Sequence, residues 1–145
     1  MSLTQIEFEH IMSLQKQFED SITPLILGPG PIRWTRILVS TETKEEFIMD
    51  YRKGHISISK FTINHRFRNS VNLLRYDHTG RHTNPDGVTL DGPHIHLYRE
   101  GFDDKFAVPA TEMGINISDE IQLIFRKVLQ ICNIQNSPSI NLNLL

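Results

Sequence analysis

The chain has one cysteine, Cys132, among its 145 residues. A single thiol excludes an intramolecular disulfide and any all-cysteine zinc site, and it fits a reducing, cytoplasmic setting. Histidine is absent after His96, so the last third of the chain offers no imidazole as base or ligand. No apolar run approaches the roughly 20 residues that span a bilayer, and no membrane association is expected. The N-terminal residues lack a basic stretch followed by an apolar one, so secretion is not expected either. No fixed-period repeat or low-complexity tract is present. A glycine-rich phosphate loop is missing too: Gly28-Pro29-Gly30-Pro31 has neither the Lys-Ser/Thr nor the strand–loop–helix setting that such a loop needs. Finally, there is no excess of either charge. The 15 Lys and Arg against 17 Asp and Glu give a net charge of −2, which argues against bulk polyanion binding.

The charges that are present are unevenly placed. From Arg52 to His82 the basic residues Arg52, Lys53, Lys60, Arg66, Arg68, Arg75 and Arg81 face Asp77 alone. Such a surface attracts phosphate, or it is a solvated face with local pairs. The histidines are clustered as well, six of the seven lying between His55 and His96.

Periodicity predicts one α+β domain over residues 1–145. An N-terminal helix is expected over 4–20, opened by the capping box Thr4–Glu7. A connector over 21–31 follows, then a mostly antiparallel sheet of about five or six strands. Ile32–Ser40 and Phe47–Tyr51 read as strands. Arg52-Lys53-Gly54 reads as a turn into a strand over 55–60, with a bulge near Ser59 or Lys60. Ile117, Ile121, Ile124, Val128 and Ile131 form the stripe of a C-terminal helix packed on one sheet face, capped at Asn116 or Ser118 and ended at Asn133. Residues 136–145 read as a loose tail from which Ile140 and its neighbours can dock. Cys132 reads as a small core residue.

The densest chemistry lies between Arg75 and Lys105. Asn84-Pro85-Asp86-Gly87 is a turn, because Pro presets φ, Asn and Asp bond their own backbone, and Gly accepts positive φ. It predicts a short hairpin of 81–83 with 88–90 that carries His82 back toward the next strand. In Gly92-Pro93-His94-Ile95-His96-Leu97-Tyr98-Arg99-Glu100, alternation sends Ile95 and Leu97 one way and His94, His96, Tyr98 and Glu100 the other.

Three readings of that polar face follow. In the first, it performs acid–base chemistry on RNA or another phosphate-bearing ligand without metal. His94 and His96, about 6–7 Å apart along the strand, transfer protons with help from Tyr98 and His82, and Lys60, Arg75, Arg81 or Arg99 holds the phosphate. No cofactor is needed. In the second, His94, His96 and Glu100 ligate a divalent metal, with His82 or Asp91 as further candidates. That triplet resembles the first half of the cupin pattern, although the cupin glycine falls on Val88 and the later Pro-x-Gly-x-x-His element is missing. In the third, the histidines bond turns and sheet edges of a non-catalytic domain that binds a protein partner.

The run His82 to Gly87 (HTNPDG) with Gly92 to Lys105 (GPHIHLYREGFDDK) resembles an uncharacterised family of small bacterial and prophage proteins with an H-x-N-P-D-G…P-H-x-H-x-Y-R-E-G signature. The resemblance covers about Leu73 to Pro109. It implies a bacterial cytoplasmic protein and brings no established activity. Because small nuclease toxins are common on mobile elements, it suggests by analogy alone an RNase-like, toxin-type activity.

Overall fold

The computed structural model describes residues 2–54 and 60–142. The chain begins with helix α1 (Gln5–Ser13), whose capping box is complete: the Glu7 N–H donates to Thr4 Oγ1 and the Thr4 N–H to Glu7 Oε1. The helix is shorter than the expected 4–20. It ends at Leu14, and Lys16–Phe18 form strand β1. From Leu14 to Phe18 burial alternates strictly, a period-two signal that tertiary pairing makes decisive over the helical spacing of Phe8, Ile11 and Leu14.

Strands β2 (Leu25–Ile26), β3 (Ile32–Ser40), β4 (Glu46–Lys53), β5 (Phe61–Phe67), β6 (Val71–Asp77), β7 (Arg81–Thr83), β8 (Thr89–Asp91), β9 (His94–Leu97) and β10 (Ala107–Pro109) follow. Helix α2 (Ile121–Ile131) precedes two last strands, β11 (Ile134–Gln135) and β12 (Ile140–Asn141). The fold is α+β with a mostly antiparallel sheet. Among the described residues the main sheet has eight strands in the order β10-β9-β6-β5-β4-β3-β1-β11, more than the five or six expected. The excess comes from short strands that pairing creates rather than periodicity. β11 adds to β1 in parallel, and β12 pairs in parallel with β2. Segments read as connector and loose tail are therefore joined to each other, with Ile140 buried. The expected turn at Arg52-Lys53 does not form; both residues stay in β4. The strand and bulge expected over 55–60 fall on residues outside those described, Lys60 excepted.

One face of the sheet is apolar. Trp34, Tyr51, Ile63, Tyr76 and Ile95 align across β3, β4, β5, β6 and β9. Phe125 of α2 packs edge-on to Trp34 and Tyr51, with ring centroids 6.0 and 6.1 Å away. α2 starts at Ile121 rather than Ile117, which is exposed, and Glu120 at its N-cap makes no side-chain cap. Asn116 and Ser118 therefore do not cap it. Asn133, at φ 55°, ends it as expected, and Cys132 is fully buried. Lys16 ties both helices to the sheet. Its amine is buried and donates to Met12 O at 2.9 Å and Cys132 O at 2.7 Å, the carbonyl ends of α1 and α2. Below it lies the Phe47 ring, with Lys16 Nζ 5.1 Å from its centroid and the His65 ring stacked at 5.5 Å.

Candidate functional site

The opposite sheet face is polar, and its side chains fall into two rows that cross five strands. Arg33, Arg52, Thr62, Asp77 and His94 are cross-strand partners in one row; Thr35, Asp50, Asn64, Arg75 and His96 in the other. Cross-strand register with Thr62 and Asn64 of β5, which alternates strictly with its buried neighbours, puts these residues opposite the core. A groove of about 590 Å³ runs along them and reaches Arg75 and Asp77.

At the β9 end of the rows, three side chains converge. His94 Nδ1 donates to Gly92 O at 2.8 Å, and His96 Nδ1 donates to Asp104 O at 2.9 Å. These bonds fix each imidazole with Nε2 turned toward Asp77. Asp77 Oδ2 lies 3.4 Å from His94 Nε2 and 3.3 Å from His96 Nε2. Among the described residues, Asp77, His94 and His96 form the only group of three whose ligand atoms lie within 4.8 Å of one another. Both imidazoles are almost fully buried, at 3% and 2% exposure. Asp77 is half-buried and takes a bond from Thr62 Oγ1 at 3.0 Å.

Arg75 supplies the fixed positive charge. Its Nε sits 3.1 Å from Asp77 Oδ2, its Nη1 3.3 Å from Asp104 Oδ2, and its Nη2 donates to His96 Nε2 at 3.0 Å. Burial opposes ionisation of Asp77, but His94, His96, Arg75 and Thr62 together hold its carboxyl far below the usual carboxylate range. Conversely, Asp77 raises His94 above the ordinary imidazole value, against the effect of burial.

The hairpin of β7 and β8 forms as expected, and it brings His82 onto the cluster. The His82 ring centroid lies 4.5 Å from that of His96 and 5.8 Å from that of His94, while its Nε2 donates to Lys105 O at 2.8 Å. The turn residues act as turn-makers. Gly87, at φ 92°, returns its N–H to Asn84 O, and the buried Asn84 side chain bonds both the N–H and, through its amide, the C=O of Ala107 in β10.

Other expected site residues lie elsewhere. Tyr98 does not share the histidine face. It is buried beside Phe8, its ring centroid 5.5 Å away, and its hydroxyl accepts from Leu3 N and donates to Leu3 O, both at 2.7 Å. The register shift between His65 and Arg66 leaves Leu73 as an extra residue in β6, and the Tyr98 N–H donates to Leu73 O beyond the end of β9. That irregularity breaks the alternation on which the expectation rested. Glu100 is not beside the imidazoles either; its Oε1 accepts from Gln5 N at the start of α1. The carboxylate that joins His94 and His96 is Asp77, so the His94, His96, Glu100 set is not assembled. Arg99 is exposed and stacks 3.8 Å from the Phe106 ring centroid. Arg81 pairs with Asp91 on the exposed hairpin at 3.4 Å. Lys60 is exposed and lines a separate shallow hollow with Arg52 and Thr79. Of the expected phosphate-binding residues, Arg75 alone is in contact with the cluster.

Sequence reading missed Asp77. The alternation of Arg75 and Asp77 with Leu74 and Tyr76 marks a polar face, but the partnership with His94 depends on pairing β6 with β9 over the intervening hairpin. Among the described residues, no helix is long and apolar enough to cross a membrane. Neither the curated proteins nor the solved structures contain a significant match to the chain. The family model for DUF6978, a family of unknown function, matches residues 3–134 with the cluster and the sheet inside that span, and the chain belongs to that family.

Proposed function

We propose that Asp77, His94 and His96 bind one divalent transition-metal ion and that the site hydrolyses a phosphodiester such as RNA. The observation that carries the reading is the spacing of the three ligand atoms. With each Nδ1 donating to a backbone carbonyl, each imidazole in its neutral form turns an Nε2 lone pair toward Asp77, that of His96 being shared with Arg75 Nη2. Two acceptors facing a carboxylate oxygen repel it unless a proton or a cation lies between. The separations of 3.3 and 3.4 Å are long for N–H···O bonds. They equal the edge of a tetrahedron whose metal–ligand arms are about 2.0–2.1 Å, which is roughly 3.3–3.4 Å. Backbone-anchored imidazoles with a carboxylate and one open position are the ligand set of hydrolytic metal sites.

When bound, such an ion would supply an activated water for attack on phosphorus, with one ester P–O bond breaking and its departing oxygen taking up the proton that the water gives up. In this reading Arg75, with 33% of its side chain exposed, would hold a non-bridging phosphate oxygen where the groove meets Asp77. A bacterial, mobile-element nuclease would suit this chemistry, and RNA is the phosphate-bearing partner that the basic stretch favours.

A second reading keeps the site free of metal, with His94 as imidazolium against Asp77 and His96 as the neutral base. It is favoured by the 3.0 Å bond from Arg75 Nη2 to His96 Nε2, which occupies the lone pair that a metal would use. Burial of both rings counts against direct proton exchange with a substrate. The deciding experiment is elemental mass spectrometry of untagged protein after titration with zinc, manganese, iron and nickel. One equivalent in the wild type, lost in Asp77→Ala and in His94→Ala/His96→Ala while circular dichroism stays unchanged, is expected. A wild type that retains no metal would sink the metal reading and leave proton transfer.

A further inference from the structure

We propose a second anion site on the same face, built from Arg33 and Arg52, which makes the ligand a single-stranded nucleic acid bound along the sheet rather than an isolated phosphate ester. This rests on the phosphodiester reading of the Asp77 cluster and names the substrate class for it. Arg33 and Arg52 are direct cross-strand partners on β3 and β4, both exposed. Like charges directly opposite each other on one sheet face destabilise the pairing, and among the described residues neither arginine is in an ion pair.

The neighbouring charges on the face are treated differently. Asp50 is bidentate with Arg66, at 2.7 and 3.0 Å, and Asp77 and Asp104 share Arg75. The local acids are thus spent on Arg66 and Arg75, and the two uncompensated cations line the groove that ends at Asp77. An anion bridging both guanidinium groups relieves the repulsion, and two planar donors suit phosphate.

Register gives the reach. Arg52 lies two strands from Asp77, and Arg33 three, so the cations are about 10–14 Å from the cluster at strand spacings of 4.7–4.9 Å. One phosphate cannot touch both sites. A ligand filling them carries at least two phosphates on a connecting chain, and the groove of about 590 Å³ that joins the two sites gives that chain its path. The apolar side chains of Trp34 and Tyr51 are committed to the opposite face, so recognition goes through the backbone charge and is tolerant of sequence.

The test is fluorescence anisotropy with end-labelled RNA strands of two and eight nucleotides, and an eight-base-pair duplex, on wild type, Arg33→Ala/Arg52→Ala and Asp77→Ala. The octanucleotide is expected to bind the double arginine variant about tenfold or more weakly, with the slope of log K against log salt reduced by about 1.4, which is two contacts at about 0.7 each. Dinucleotide binding, with one phosphodiester, should not change. Equal octanucleotide affinity in wild type and Arg33→Ala/Arg52→Ala overturns the subsite, as does tighter binding of the duplex. Metal content of the same preparations separates the two ideas. Metal bound with no arginine effect removes the subsite alone, and an arginine effect in metal-free protein removes the metal centre alone.

Discussion

His65 should make the fold acid-sensitive, and by an amount that can be worked out. Its ring is 0% exposed, stacks on Phe47, and has no hydrogen-bond partner for either nitrogen among the described residues. Burial, reinforced by the Lys16 ammonium, pushes its pKa down to about 3. In the unfolded chain an imidazole titrates near 6.5. Between those values the unfolded state binds a proton that the folded state refuses, so stability is complete above about pH 6.5 and falls as the pH drops toward 3. Integrating the two titrations, the loss between pH 7 and pH 5 is about 2 kcal/mol, a large fraction of a typical 5–15 kcal/mol. The assay is urea unfolding of wild type and His65→Leu at both pH values. Leucine fills similar space and does not titrate. Wild type should lose about 2 kcal/mol more than the variant across this interval. His78, lowered by burial, and His94, raised by Asp77, titrate in both proteins and cancel in the difference. An unchanged pH dependence in His65→Leu would refute the reasoning, because it would mean that the buried ring accepts its proton without unfolding the chain.

Two further substitutions separate architecture from chemistry. Tyr98→Phe should cost about 1–3 kcal/mol in urea unfolding, since Leu3 N–H and C=O lose a buried partner, yet leave metal binding unaltered. A loss of metal with stability preserved would instead return Tyr98 to the site. Gly92 sits at φ 86° and its carbonyl holds His94 Nδ1. Gly92→Ala should therefore cost about 1–3 kcal/mol through strain and weaken metal retention at the same time, measured by thermal unfolding beside elemental analysis. Strain without any loss of metal would show that the His94 anchor does not depend on this backbone.

Local signals account for most of what could be read in advance. The His94-Ile95-His96-Leu97 alternation, the Asn84–Gly87 turn with His82 on its arm, the Thr4–Glu7 box and the Ile121–Ile131 stripe each involve neighbours in sequence, and each appears as expected. The departures are long-range. α1 gives way to β1 because β3 and β11 offer Lys16–Phe18 two sheet partners. Tyr98 turns inward because of an extra residue, Leu73, on a different strand. Asp77 joins the histidines through the β6–β9 register, and Arg33 meets Arg52 through that of β3–β4. Periodicity reports which face a residue takes; it carries no information on which strand stands beside it.

The parallel pairings of β1 with β11 and of β2 with β12 impose an order in time. Strands β3, β4, β5 and β6 join their sequence neighbours, so the polar face can assemble while synthesis is still under way. β1 at that moment has β3 on one side and a bare edge on the other. The Lys16 amine likewise waits for Cys132 O, a carbonyl 116 residues further along the chain. A nascent or truncated chain thus displays a formed polar face beside an open strand edge, which is the condition under which chains pair with one another. When β11 arrives it pairs with that edge along Lys16 and Gln17 and takes over as the terminal strand, leaving only a two-residue margin.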